Sequence, residues 1–235
     1  MGLLLLVRHG QASFGADDYD VLSDVGAAQA RRLGDHLGIT GLAPTLVLSG
    51  GMRRQRETAE LLVRAAGFRV PLETDERWDE LDHLAVMAAY AAVPESAITE
   101  ENRDRLDQGD LDRREFQQVF EKATGRWASG AHDPDYQETY GAFTDRVRDA
   151  LAHAARQAGA GQVVVVVTSG GPIAAACSML TDVADDPRKR SASWQRFNTV
   201  MVNASVTRVV VGSTGARLLT FNEHSWLASE LVTYR

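Results

Sequence analysis

Two uninterrupted apolar runs constrain this chain more than anything else in it: Leu3-Leu4-Leu5-Leu6-Val7 near the start and Val163-Val164-Val165-Val166-Val167 in the second half. A strand with one wet face alternates apolar and polar residues. An unbroken run needs cover on both faces, which is the habit of parallel strands inside α/β proteins. Each run ends in polar residues, Arg8-His9-Gly10-Gln11 and Thr168-Ser169-Gly170-Gly171. Open α/β sheets bind ligands at the carboxyl ends of their strands, so both tetrads are expected on one rim.

The segments between these runs read as alternating helices and strands. Ser23-Asp24 is a helix N-cap signal, and Val25, Ala28, Leu33 and Leu37 make an apolar stripe ending near Gly38. Thr45–Leu48 reads as a second strand, Ser49-Gly50-Gly51 as a loop, Met52–Ala66 as a helix ended by Gly67, and Phe68–Leu72 as a third strand. That order predicts an α/β fold with a mainly parallel sheet. Asp75–His83 reads as a polar loop carrying Trp78. The stretch at about 84–130, punctuated by Pro94, Gly109 and Gly125, reads as a charge-rich helical insertion within a single domain spanning 1–235. Tyr136–Gln157 is an amphipathic helix. After the valine run comes an apolar helix to Leu180, with Pro172 in its first turn. Asp182–Ser193 reads as polar connection. Val200–Val202, Ser205–Val211 and Leu218–Phe221 read as late strands, the last two joined by a turn at Gly212–Gly215.

Composition excludes several classes. A net charge of −7 argues against a general nucleic-acid binder. The lone Cys177 permits no intrachain disulfide, and its apolar neighbours predict a buried thiol. No stretch reaches membrane-span length and Met1–Val7 is too short for a signal peptide core, so a cytoplasmic protein without membrane partners is expected. The late strands leave room for a homodimer. The tryptophans are expected as packing residues, and Met52, Met87 and Met179 as core filler.

The polar strand ends carry a chemistry of their own. The first offers Arg8, His9 and Gln11; the second offers Ser49 and then Arg53, Arg54 and Arg56; the third offers Ser169 and Gly170 at a helix start. Arginine gives bidentate donors to phosphate oxygens, and a helix N-terminus points its amides at an anion. A neutral imidazole in that field is a nucleophile, and Asp79, Glu80 and Asp82 are candidate proton donors. The combination suits transfer of a phosphoryl group from a small phosphorylated substrate through a phosphohistidine.

These motifs resemble the histidine phosphatase superfamily, also called phosphoglycerate mutase-like. The resemblance rests on Val7-Arg8-His9-Gly10, Leu22-Ser23-Asp24-Val25-Gly26 with Gln29-Ala30, and Ser49 with Arg54-Gln55-Arg56-Glu57-Thr58-Ala59. It continues through Trp78-Asp79-Glu80-Leu81-Asp82 and Val167-Thr168-Ser169-Gly170-Gly171-Pro172. It implies a three-layer α/β/α sandwich with the helical insertion as a cap, and chemistry that uses no metal or organic cofactor. It further implies His9 as the phosphorylated nucleophile, Arg8 and Arg54 as the phosphoryl clamp, and Glu80 as the acid that protonates the leaving oxygen.

The chain departs from the family pattern twice. Ser169 stands where a second histidine is usual, and Gly15 stands near a position that often carries a phosphate-binding Asn. Ser169 is therefore either a phosphate contact or simply a helix N-cap. His132, His153 and His224 are candidate replacements for the second imidazole, and Ser13 or Gln11 for the Asn. A phosphatase is the leading expectation. A phosphoglycerate-type mutase and a catalytically weak phosphoester-binding protein are the alternatives.

Overall fold

The computed structural model describes residues 1–13, 20–93, 96, 113–182 and 186–234. The loop bearing Gly15 and the segment with Pro94 and Gly109 lie outside them. The described chain forms two compact units, residues 1–80 with 146–235 and residues 81–145. The larger unit holds a sheet of six strands: β1 (Gly2–Arg8), β2 (Leu46–Ser49), β3 (Leu72–Thr74), β4 (Val163–Thr168), β5 (Val206–Gly212) and β6 (Gly215–Glu223). Their spatial order is β3-β2-β4-β1-β5-β6. The β1–β4, β4–β2 and β2–β3 pairs are parallel, while β5 and β6 are added antiparallel.

The two apolar runs lie side by side at the centre, in register from Leu3 opposite Val163 to Arg8 opposite Thr168. Both faces are covered. Leu5, Val7, Val165 and Val167 pack with Leu33 and Leu37 of α1 (Asp24–Ile39) and Ala59 and Leu62 of α2 (Arg53–Ala66). The alternate residues Leu4, Leu6, Val164 and Val166 are equally buried on the opposite face. There α6 (Gly170–Thr181), itself apolar along nearly its whole length, packs against β1. Burial pushes the Cys177 thiol on α6 up to about 12, which makes it an inert packing residue.

The smaller unit contains α3 (His83–Ala91) and α4 (Arg113–Ala128), and α5 (Tyr140–Gln157) begins in it. Trp127 meets the rings of Tyr140 and Phe143 edge-on and donates its indole N–H to the Glu138 carbonyl at 2.7 Å. Among the described residues no helix is long and apolar enough to cross a membrane.

Several sequence-based boundaries move. α1 continues past Gly38 to Ile39, because Gly38 lies against Ala66 of α2 inside the helix pair, and the chain turns at Gly41 with φ +71°. Phe68 and Val70 are partly buried packing residues of a connection, and β3 forms only at Leu72–Thr74. Gly125 lies within α4 rather than ending it. Residues 133–135 form a 3-10 turn, so α5 starts at Tyr140 rather than Tyr136. The polar stretch after Asp182 contains a helix, α7 (Pro187–Thr199), which buries Trp194 and anchors its indole N–H on the Gly171 carbonyl at 3.0 Å. Val200–Val202 is no strand, because the chain turns there through Ala204 at φ 55° into β5. Met52 is half-buried at the head of α2 and not in the core.

Candidate active site

His9 follows directly on β1, and its backbone is tied down on three sides. Its N–H donates to the Thr168 carbonyl at 2.8 Å, continuing the β1–β4 ladder. Its carbonyl accepts from Ala204 N–H at 3.2 Å and from the Asn203 side chain at 3.3 Å. The imidazole Nδ1 lies 2.6 Å from the Gly10 carbonyl. A carbonyl can only accept, so Nδ1 carries the proton and Nε2 presents a lone pair. Gly10 itself is explained by packing: a β-carbon there would collide with the Gly26 carbonyl at the start of α1. Its N–H donates to Thr58 Oγ1 at 3.1 Å, which joins the β1 loop to α2.

Arg54 comes to the same point from the first turn of α2. It is 4 % exposed, and its Nε–H donates to His9 Nε2 at 3.3 Å. Its Nη1 donates to Asp20 Oδ1 at 2.6 Å and its Nη2 to Met52 Sδ at 3.1 Å. The other Asp20 oxygen accepts the N–H of Arg53, the first residue of α2, at 2.7 Å. Arg53 pairs with Glu57, and the Arg56 side chain reaches back to the Gly51 carbonyl.

The remaining predicted residues lie around this pair. Arg8 donates through Nη1 to the Tyr234 carbonyl at 2.8 Å and to the Met201 carbonyl, with its guanidinium beside Gly170. Gln11 donates its backbone N–H to Gln29 and accepts from the Ser23 hydroxyl at 3.0 Å. Ser169 holds the N-cap position of α6, yet its hydroxyl makes no cap hydrogen bond; it is fully buried and accepts from Gln55 Nε2 at 2.8 Å. Gln55 is equally buried, donates also to the Trp78 carbonyl, and accepts from Met52 N–H. The three acidic candidates separate cleanly. Asp79 accepts from Gly51 N–H at 2.5 Å, Asp82 caps α3 through Ala85 N–H, and Glu80 accepts from Gly171 N–H at 3.0 Å at the start of α6. Burial pushes the Asp79 carboxyl up, against the lowering effects of Gly51 N–H and Arg146.

The candidate replacement histidines have other settings. His153 lines a groove of about 530 Å³ with Leu48 and residues 73–77, whose lining includes neither His9 nor Arg54. His224 Nδ1 pairs with the Asn222 carbonyl. His132 precedes the 3-10 turn of the smaller unit. Asp20, Gln55 and Asn203 escaped the sequence reading. Asp20 ends a stretch, 13–20, that reads in sequence only as an acidic loop, Gln55 lies inside the Arg54–Ala59 motif with no signal of its own, and Asn203 is a single polar residue beside apolar ones.

The electrostatics keep His9 neutral. Its pKa lies well below the ordinary 6.5, first because burial penalises the cation, then because Arg54 and Arg8 repel it, with the Gly10 carbonyl opposing. The unfolded chain takes up this proton near pH 6.5 while the folded chain waits until well below it, so this contribution to stability falls as pH drops from 6.5. A ring held neutral keeps the lone pair that a nucleophile would need; if His9 is one, the acid limb of kcat/KM falls well below pH 6.5, as a pH–rate profile would show.

Comparison with known proteins identifies the family. The sequence profile of the histidine phosphatase superfamily (branch 1) matches residues 4–109 and 89–224. The chain belongs to the histidine phosphatase superfamily. A 2,3-bisphosphoglycerate-dependent phosphoglycerate mutase of Corynebacterium diphtheriae is 33% identical over 98 residues, 39% of this chain and 40% of that relative. The matched segment thus spans less than half of the mutase. Among solved structures, a mycobacterial glucosyl-3-phosphoglycerate phosphatase in complex with inorganic phosphate aligns at TM-score 0.62 with 23% identity, covering 97% of this chain and 100% of that one. Phosphoglycerate mutase from Bacillus anthracis aligns at TM-score 0.60 with 21% identity, covering 96% and 94%. At such identities these structures establish a shared mixed α/β fold with a mainly parallel central sheet. The superfamily's neighbours here include both phosphatases and mutases.

Proposed function

We propose that this superfamily member is a phosphatase that hydrolyses a small phosphomonoester through a phosphohistidine on His9. The observation that carries the reading is the Arg54 Nε–H at 3.3 Å from His9 Nε2, with Nδ1 held by Gly10. A guanidinium beside a ring lone pair can bring a phosphoryl group to the nitrogen that attacks it. In this scheme Nε2 forms a bond to phosphorus as the ester oxygen departs. Glu80 gives that oxygen its proton, then takes one from the water that splits the phosphohistidine and releases phosphate. In this reading Arg54, Arg8, Gln11 and the amide end of α6 at Ser169-Gly170 are the groups available to hold the transferred phosphoryl. No step calls for a metal or organic cofactor. The test is incubation with a generic phosphoester followed by alkaline quench: acid-labile, alkali-stable phosphate on the protein supports the scheme, and its absence with no turnover across a broad panel opposes it.

A specific observation also supports the weaker reading of a phosphoester binder with slow turnover. Ser169, where a second imidazole is usual, is sealed beneath the rim, and its hydroxyl is engaged by an equally buried Gln55. A hydroxyl carries no positive charge for the transition state. A longer side chain extended along the Ser169 hydroxyl direction meets Gln55 Nε2, which lies 2.8 Å from that hydroxyl. Ser169→His alone is therefore expected to gain nothing, whereas Ser169→His with Gln55→Ala is expected to raise kcat by about two orders of magnitude, the usual worth of one such donor. Steady-state turnover of the two variants side by side checks this.

A further inference from the structure

Asp20 lies against the candidate phosphoryl site in a way the scheme above does not use. One of its carboxylate oxygens accepts from Arg54 Nη1 at 2.6 Å and the other from the first amide of α2 at 2.7 Å. A guanidinium edge beside a helix-start amide is what a phosphate would also select. The two ends of this ion pair differ in setting. The Arg54 side chain is 4 % exposed, whereas that of Asp20 is 35 % exposed. The arginine is the buried partner of the pair and the carboxylate the one already beside water, so an anion arriving from solvent meets the carboxylate side first.

We infer that Asp20 is a resident competitor for Arg54, displaced when a phosphoryl group binds and returning when phosphate leaves. The inference rests on the reading of Arg54 as the phosphoryl clamp. Once His9 Nε2 is bonded to phosphorus its lone pair is gone, and the Arg54 Nε–H must turn to a phosphoryl oxygen. A dianion drawn onto the same guanidinium stands close to the Asp20 carboxylate, and two anions sharing one cation repel. Asp20 therefore weakens phosphate binding, while its contact with Arg54 holds the guanidinium aimed between substrates. In a hydrolase the same competition shortens the stay of the phosphate product. Asp20 is thus a residue that sets affinity through Arg54, without touching the reacting atoms.

Calorimetric titration of the full chain with inorganic phosphate tests this without reference to turnover. Asp20→Asn keeps the shape and a carbonyl acceptor for the α2 amide, and removes the charge. Phosphate is expected to bind the variant about three- to tenfold more tightly than wild type, the scale of losing one partly exposed charged contact. Unchanged or weaker binding by Asp20→Asn, with thermal unfolding like wild type, overturns the inference; Asp20→Ala gives the same reading should the amide of Asn pair with Arg54 through its oxygen. Arg54→Ala separates the two layers. If it binds phosphate as well as wild type, the clamp assignment fails and the competitor falls with it. If it loses binding while Asp20→Asn gains none, only the competitor fails.

Discussion

Replacing His9 with alanine is expected to lower kcat by about five to six orders of magnitude, the scale on which removing a covalent nucleophile acts, and to abolish acid-labile labelling of the protein. The size follows from the attacking atom. Nε2 is the lone pair that the Nδ1–Gly10 contact leaves unprotonated, and burial with two nearby guanidinium groups keeps it neutral at physiological pH. Thermal stability should change little or rise slightly at acid pH, because the variant loses a ring that the folded chain holds neutral against its ordinary tendency to protonate. Rapid-quench and steady-state assays on one preparation check both halves. Retained labelling in His9→Ala would place the nucleophile elsewhere.

Arg54→Ala is expected to cost about three orders of magnitude in kcat/KM, somewhat above the loss of one preorganised donor, since the fork supplies several. Its second effect is diagnostic. Arg54 is, after burial, the leading cause of the depressed His9 pKa. Without it the acid limb of kcat/KM should move upward, towards 6.5. A residue that only supports packing would lower activity without moving that limb. Arg54→Lys should recover the pKa effect better than the rate, because an ammonium restores charge and not the planar fork. A pH–rate profile of wild type and both variants reads these differences together.

The centre of the fold was legible because burial on both faces leaves an unmistakable trace. The runs Leu3–Val7 and Val163–Val167 have no polar residue to turn towards water, and they pair at the middle of the sheet. The helix ending at Gly67 was equally clear, as its left-handed φ of 68° suits glycine. Gly38 misled because its missing side chain serves contact with Ala66 rather than a turn, two uses of glycine that look alike in sequence. The offset of β3 has a similar origin: Phe68 and Val70 are apolar because they lie against the core cluster, not because they pair. α7 was missed because its buried side rests on few large residues, Trp194 chief among them, within a charged stretch.

At the site, His9 and Ser169 share a level because each follows a strand end of the β1–β4 pair, and the first turn of α2 brings Arg54 to His9. Sequence order could not show what each donor is already holding. Arg8 is engaged with the Tyr234 and Met201 carbonyls, 226 and 193 residues away in the chain. The Gln55–Ser169 contact joins residues 114 apart. Such partners are fixed by tertiary packing and leave no periodic mark.

A crystal structure of the full chain with vanadate tests the central claim most directly. The account predicts vanadium bonded to His9 Nε2, the Nδ1–Gly10 contact intact, and Arg54 donating to the equatorial oxygens. Vanadate bound away from His9, or bound there while Arg54 stays on Asp20 and donates nothing to the anion, would contradict it.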